Sequence, residues 1–263
     1  MEAIVQGFPI FLLIFCRITA FFVVSPVFSF KNFPSSFKIG LGFFVSLLVF
    51  MANGFDQPVV TDPLYVLMVI REILIGVAIG FVVYLFFAVV QAAGGFMDLQ
   101  IGFSMANVVD PVTGQSAPLL GNFKYLLTIL VFLMMDGHHY LLRGLMNSYA
   151  WLPIDNAFYS RLASGEITDQ LARLASNTFL LALQVAAPII VAMFLTDAGL
   201  AFLAKTAPQF NVFVIGLPLK LLIGMLLLIL LLPEFAILLG HLFSILFDSL
   251  EKFFVVLQGK SGT

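Results

Sequence analysis

Charged side chains are the scarcest class of residue in this chain. Only 10% of its 263 residues are Asp, Glu, Lys or Arg, whereas 62% are hydrophobic. Soluble domains carry roughly 25% charged residues, and a soluble fold of this size could not bury so much apolar surface. The composition therefore predicts an integral membrane protein in contact with membrane lipids. The formal net charge of −2 offers no basic surface, so we expect no nucleic-acid partner.

Cysteine and the common catalytic motifs are almost missing as well. The single cysteine, Cys16, excludes an intrachain disulfide and a cysteine metal cluster. The sequence contains no nucleophile elbow, Walker A loop, HExxH motif or dinucleotide fingerprint. We therefore predict a protein that is not an enzyme and that has no cofactor.

The three histidines do not indicate a metal site. His138 and His139 follow Asp136, but adjacent side chains are expected to diverge on a helix, and His241 is isolated in an apolar run. No second group of ligands has the spacing of a metal site. A role at a turn or a helix end is the better expectation for these residues.

Long apolar runs separated by short polar turns predict an all-α membrane protein with six to seven hydrophobic helices or hairpins in a single domain, 1–263. The third helix is expected at about 64–93. The most polar stretch, 151–173, is predicted to be a loop outside the membrane that enters a helix. The apolar run 212–257 is too long for one span, and Pro218, Pro233 and Gly240 are expected to divide it into two helices or a hairpin.

A glycine-rich polar segment, 94–118, interrupts this membrane-grade sequence. Lipid cannot satisfy the hydrogen bonds of an irregular backbone, so the segment must leave the bilayer, lie buried in protein or line a water-filled path. A surface or re-entrant loop remains possible from the sequence, whereas the other two options indicate a pore.

The second part of this segment, about 102–118, has the composition expected of a pore plug. Apolar side chains can seal a pore by excluding water, and glycines let the backbone fold tightly. The predicted plug and gate residues are Gly102, Phe103, Met105, Val108, Val109, Asp110, Pro111 and Gly114.

Three charged residues lie inside apolar helices, where contact with lipid would be costly. Arg17 is expected to form an internal ion pair or hydrogen bonds, or to contact another subunit. Arg71 and Glu72 are adjacent and point about 100° apart on a helix, so each is predicted to need its own partner. Gly76 and Gly80 form a small-xxx-small motif that would serve packing within the chain or between subunits equally well. These five residues form the predicted subunit contact.

Several stretches resemble one known family, the flagellar type III export-gate subunit FliR, and the resemblance covers nearly the whole chain. They are residues 71–76, 99–104, 109–111, 136–138 and 207–218. Each motif is weak alone, and together they are specific. Many relatives have aromatic residues where this chain has Met105 and Val108, although the apolar character is kept.

The resemblance implies a helical hetero-oligomeric gate in the bacterial inner membrane, at the flagellar basal body. FliR-like proteins join FliP and FliQ there, FlhB surrounds the gate, and the substrates are unfolded flagellar proteins. The loop between the third and fourth helices, carried over to about 102–118, would be the plug. Because such gates lie partly above the bilayer, some membrane-grade helices would be covered by protein.

Three alternatives remain open from the sequence. The injectisome counterpart of the flagellar subunit shares these features. A secondary transporter for small solutes would have inverted repeats, and no convincing internal similarity is visible. An intramembrane enzyme would need paired catalytic residues on facing helices, and none is evident.

Overall fold

The chain is all-α in every part that the structure describes, as the sequence predicts. The structure is a computed structural model, and it describes residues 2–29, 34–53, 64–104, 118–152, 157–209 and 211–258. Five of its helices are long and apolar enough to cross a membrane, or six if the two helices on either side of a break at 135–136 count as one span. This number is at the lower end of the expected six to seven.

Eight helices occur in the described ranges. They are α1 (Glu2–Val24), α2 (Ser35–Asn53), α3 (Leu64–Ile101), α4 (Leu119–Met134), α5 (Gly137–Trp151), α6 (Ala157–Ser164), α7 (Glu166–Thr206) and α8 (Val212–Gln258).

Three of the expected boundaries are wrong. Helix α3 continues through Gly94 and Gly95 and ends only at Ile101, because close packing against another helix holds these glycines in the helix. The polar interruption expected at 94–118 is therefore shorter than predicted. The polar stretch 151–173 is mostly helical, with α6 and the first two turns of α7 inside it. Glu166, Asp169 and Arg173 in this stretch lie on the exposed face of α7 and not in a loop.

The predicted division of 212–257 is also wrong. Helix α8 runs without a break for 47 residues and contains both Pro218 and Pro233. Proline in a helix interior removes one hydrogen bond and clashes with the preceding turn, yet apolar surroundings give the remaining backbone groups no other partner than the helix itself. Pro188 lies in the same way inside α7.

The described helices group into two compact units. Unit 1 comprises Met1–Leu85, Asp136–Leu174 and Ile245–Thr263, and unit 2 comprises Phe86–Met135 and Ala175–Ser244. In unit 1, α1 and α3 approach closely at two glycines. A Cβ atom added at Gly76 would lie 2.3 Å from the carbonyl oxygen of Arg17, and one at Gly80 would lie 2.9 Å from Cβ of Val24.

This close approach brings buried charges of unit 1 together. Arg17 donates from Nε to Glu72 Oε2 at 2.6 Å and from Nη2 to Glu72 Oε1 at 3.0 Å. It also donates to Ser148 Oγ at 3.0 Å, and its guanidinium lies 4.0 Å from the centre of the Tyr149 ring. Arg17 and Glu72 are both 0% exposed. The pair therefore links α1, α3 and α5 in the apolar interior of unit 1.

Unit 2 has its own glycine contact and an aromatic core. A Cβ atom added at Gly94 would lie 2.3 Å from Cα of Gly121, so α3 and α4 touch backbone to backbone. Deeper in the unit, the ring of Phe132 lies 5.5 Å from that of Phe87 and 5.2 Å from that of Phe243, which joins α8 to α3 and α4. Edge-on ring pairs of this kind add to the stability that their burial provides.

We expect that replacing one partner of the Arg17–Glu72 pair lowers the free energy of unfolding strongly, because the other charge is then buried without its partner. Arg17→Leu leaves a buried carboxylate without its main partner, a change that costs roughly 3–5 kcal/mol in other proteins. Arg17→Leu and Glu72→Gln combined should cost clearly less than the sum of the two single changes. Thermal unfolding in isolated membranes of cells that produce the chain, followed as loss of the folded protein after heating, measures this, with Lys205→Ala, at an exposed position, as the control. A midpoint for Arg17→Leu equal to that of the control would contradict the role of the pair.

The contact between Gly94 and Gly121 should also stabilise the protein, and it should not tolerate a side chain at position 94. Gly94→Ala places a methyl group against backbone atoms that cannot rotate away, so α3 and α4 must separate and the protein should unfold at lower temperature. Gly199→Ala is the matched control, because no atom lies within 4 Å of the added Cβ and alanine is the better helix former by about 1 kcal/mol. Equal effects of the two changes on the unfolding midpoint would show that the close contact does not matter.

Candidate functional site

The structure describes only the two ends of the predicted plug. Gly102 and Phe103 follow α3, and Pro118 directly precedes α4. The other predicted plug residues lie outside the described residues: Met105, Val108, Val109, Asp110, Pro111 and Gly114.

Gly102 ends α3 in a conformation that favours glycine. Its φ is +102°, a value that other residues rarely adopt. Its N–H donates to the carbonyl of Asp98 at 3.1 Å, and an added Cβ would lie 2.9 Å from Cδ1 of Leu217. Both the backbone and the space around it therefore favour glycine at this position.

Asp98 caps the helix at the other end of the segment. Its carboxylate accepts hydrogen bonds from the N–H of Leu120 at 3.1 and 3.0 Å, and from the N–H of Gly121 at 3.4 Å. The first N–H groups of a helix have no partner within the helix, and a negative charge there is also favoured by the helix dipole. Asp98 is 2% exposed, so a residue of α3 satisfies the buried start of α4.

Close backbone packing also holds α3 against the start of α4 in this region. Gly94 lies against Gly121, and a Cβ added at Gly95 would lie 3.6 Å from Cγ of Pro118. We call Gly94, Asp98, Gly102, Pro118 and Gly121 the plug base. It places Gly102, at the end of α3, and Pro118, before α4, against the same stretch of α3 in unit 2. The N–H groups of Leu120 and Gly121 both have an acceptor there.

Sequence reasoning missed the role of Asp98. The signal was present, because a carboxylate within an apolar run must find donors. What the sequence did not show is that α3 would extend past the glycines, and only this extension brings Asp98 beside the first turn of α4.

The predicted subunit-contact residues are all packed within unit 1. Arg17, Arg71 and Glu72 are at most 1% exposed, and Gly76 and Gly80 lie against α1. The expectation that Arg71 and Glu72 do not pair is wrong, since Arg71 Nη1 lies 3.2 Å from Glu72 Oε1. Two long side chains can bridge the angle between adjacent helix positions, which the simple face argument ignores.

The expected divergence of the adjacent histidines is wrong too. The rings of His138 and His139 lie 4.1 Å apart, because both residues belong to the first turn of α5 after a left-handed residue, Asp136, with φ +57°. The expected position at a helix end is confirmed. His241 is exposed on α8 and belongs to the other unit.

Comparison with known proteins adds an independent finding. The chain is similar to the flagellar biosynthetic protein FliR of Bacillus subtilis (strain 168), with 36% identity over 252 residues that cover 96% of this chain and 97% of that protein. It is 32% identical to FliR of Escherichia coli (strain K12), over 89% of this chain and 88% of that protein. It is also 32% identical to the Yop proteins translocation protein T of Yersinia pestis, over 81% and 82% respectively.

A family match covers the plug base as well as the buried charges. The family described as bacterial export proteins, family 1, matches residues 8–246, a range that begins in α1 and ends in α8. On this evidence the chain belongs to the bacterial export proteins, family 1.

Proposed function

We propose that this chain is a core, non-enzymatic subunit of the flagellar type III protein export gate. It would form, with FliP, FliQ and FlhB proteins, the channel that carries unfolded flagellar proteins across the inner membrane. The family of export proteins and the flagellar relatives support this proposal. A small-solute transporter has no comparable support.

The observation that carries the proposal is the match of residues 8–246 to a family of export proteins. The exposed apolar part of α8 is the surface that we assign to its partners. At 1.5 Å per residue, the 47 residues of α8 extend over about 70 Å, whereas the hydrocarbon core of a bilayer is about 30 Å thick. The stretch Val214–Leu257 contains a segment of 18 residues that is apolar enough to cross a membrane. The part of α8 with exposed large apolar side chains, Val214–Ile237, is about 36 Å long, and lipid or a neighbouring subunit must cover it.

The apolar side chains of α8 do face outwards. Leu222, Ile229 and Ile237 are each about 70% exposed and lie in the first part of the helix, whereas Leu250, Phe253 and Leu257 near its end are buried. In unit 2 this helix also borders a groove of about 640 Å³ with mostly apolar walls, which include Leu120 of α4 and Val185 of α7. An apolar helix of a neighbouring subunit fits such a groove by the same packing that holds amphipathic helices in grooves elsewhere.

This apolar surface replaces the buried charges as the reason to expect partners. Arg17, Arg71 and Glu72 have partners within the chain, so they do not require another subunit. By contrast, a contiguous exposed apolar surface marks a place of contact with lipid or with another protein, and the exposed part of α8 is such a surface.

The flagellar system is favoured over the injectisome by the extent of the matches. The flagellar relative from Bacillus subtilis covers 96% of this chain, whereas the Yersinia translocation protein covers 81%. The second system remains the alternative to the proposal, because the identity to the Yersinia protein equals that to the Escherichia coli protein.

Production with partners should decide whether the exposed helices are subunit interfaces. Made alone, the chain should aggregate in mild detergent or be degraded, and production with FliP and FliQ should yield one large complex in size-exclusion chromatography. Ile229→Glu, on the exposed face of α8, should prevent this complex, whereas Gly199→Ala should not. A stable, monodisperse monomer of the chain alone would argue strongly against the proposed assembly.

We further propose that residues 102–118 plug the closed channel. The support is the sequence of the segment, with apolar side chains on a backbone rich in glycine, together with the plug base that holds both of its ends. Phe103, Met105, Val108 and Val109 would lie near the pore axis and exclude water, while Asp110-Pro111 would set the geometry of the turn.

Loss of apolar sealing area should make the resting channel leak. Met105→Ser with Val108→Ser removes buried apolar surface worth about 25 cal/mol per Å², so the closed state loses stability relative to the open one. The measurement is ion conductance or solute-driven swelling of cells that contain the whole complex. Met105→Leu with Val108→Ile keeps the apolar surface and should not leak. If the serine variant assembles normally and is as tight as wild type, the segment is not the seal.

A further inference from the structure

Asp136 stands at the start of α5 in a conformation that frees its carboxylate. With φ +57° it is left-handed, and its side chain makes no capping hydrogen bond to the helix that follows. Aspartate at such a position normally caps the first N–H groups of a helix. Here Oδ1 instead lies 3.3 Å from Nδ1 of His139. The left-handed residue therefore turns a potential cap towards a histidine, and unusual backbone conformations of this kind often accompany a functional role.

His138 completes a cluster of three ligand-type side chains. Its ring lies 4.1 Å from that of His139, centre to centre. Its Nδ1 atom is shielded from solvent and has no hydrogen-bond partner within the part of the chain that the structure describes. One ligand atom from each of Asp136, His138 and His139 lies within 4.8 Å of the others. A nitrogen without a partner, beside a second imidazole and a carboxylate, is the arrangement that a metal ion would satisfy.

We propose that Asp136, His138 and His139 bind one divalent transition-metal ion, with Zn²⁺ as the physiological candidate. Two imidazoles and a carboxylate are the donor set that Zn²⁺ and related first-row ions prefer. Ca²⁺ and Mg²⁺ prefer oxygen ligands and are not expected. Three protein ligands leave a fourth position for water or for a group from another molecule. The ion would fix the left-handed turn to the first turn of α5.

The surroundings permit an ion to enter. The side chains of Asp136 and His139 are 72% and 65% exposed, so the site is open to ions from solution. The positive end of the α5 dipole opposes a cation, but this effect falls off within one turn and is weak at exposed positions, while the charge of Asp136 acts in the opposite direction. All three residues belong to unit 1, and the site does not depend on the proposed function of the chain.

Metal binding to the full-length chain tests this inference. The protein is purified without a polyhistidine tag, in detergent and with its partner subunits where they stabilise it, and then titrated with Zn²⁺. Co²⁺ replaces Zn²⁺ in a parallel titration, because its visible absorption reports nitrogen and oxygen ligands directly. We expect one ion per chain.

Matched variants separate this site from adventitious binding. His138→Ala and His139→Ala should each weaken binding at least tenfold, Asp136→Asn should weaken it measurably, and His241→Ala should leave it unchanged. The Co²⁺ spectrum should disappear in the first two variants only. The inference is overturned if wild type binds no ion, or if His138→Ala and His139→Ala bind as tightly as His241→Ala. Circular dichroism shows that each variant keeps its helices, so that a loss of binding reflects the ligands.

Discussion

The pairing of Glu72 with Arg17 is the interaction on which the packing of unit 1 depends. A carboxylate that is 0% exposed in apolar surroundings must be neutralised and hydrogen-bonded, since the cost of an isolated buried charge is prohibitive. Arg17 meets both needs with a two-point contact, but only because Gly76 and Gly80 let α1 come within backbone distance of α3. Ser148 and Tyr149 then bind the remaining faces of the guanidinium, which brings α5 to the same place. The glycines and the charges are thus two parts of one arrangement.

In unit 2, buried backbone N–H groups, in place of buried charges, must find partners on another helix. The start of α4 is buried, and its free N–H groups need acceptors that neither lipid nor water can supply. Asp98 of α3 supplies them, and the contact between Gly94 and Gly121 sets the distance at which it can do so. In both units a polar side chain within an apolar helix proves to be a link between helices, so the few polar residues of this chain carry much of its specificity.

The sequence predicted the fold class correctly, but it misplaced the ends of several helices. Apolar runs separated by polar turns are a strong signal for membrane helices, and the all-α fold follows from them. Glycine and proline misled the prediction of boundaries. Gly94, Gly95, Pro218 and Pro233 all lie inside helices, because tertiary packing and apolar surroundings outweigh their local preference for breaks. Local propensity is a weak guide wherever the alternative is an unsatisfied backbone group in an apolar medium.

The candidate site was predictable only in part, for a related reason. The composition of 102–118 indicates a seal, and Gly102 is needed at the end of α3, as its φ confirms. The partner of Asp98 could not be deduced, because it lies 22 residues away in the chain and depends on where α3 ends. The predictions for Arg71 with Glu72 and for His138 with His139 were wrong for a simpler reason. An argument from helix faces treats side chains as short rods, whereas arginine and histidine reach across neighbouring positions.

The exposed face of α8 also bears on how the protein must be made. In the proposed gate, partner subunits cover the apolar side chains between Val214 and Ile237, so a free subunit would present them uncovered and be prone to aggregation and degradation. Its survival then depends on how often it meets a partner, and that frequency rises with the product of the two concentrations in the membrane. Cells that produce the subunits together, close in time and in matched amounts, would outpace the proteases that remove unassembled membrane proteins. In this way the exposed face of one helix becomes a constraint on gene dosage.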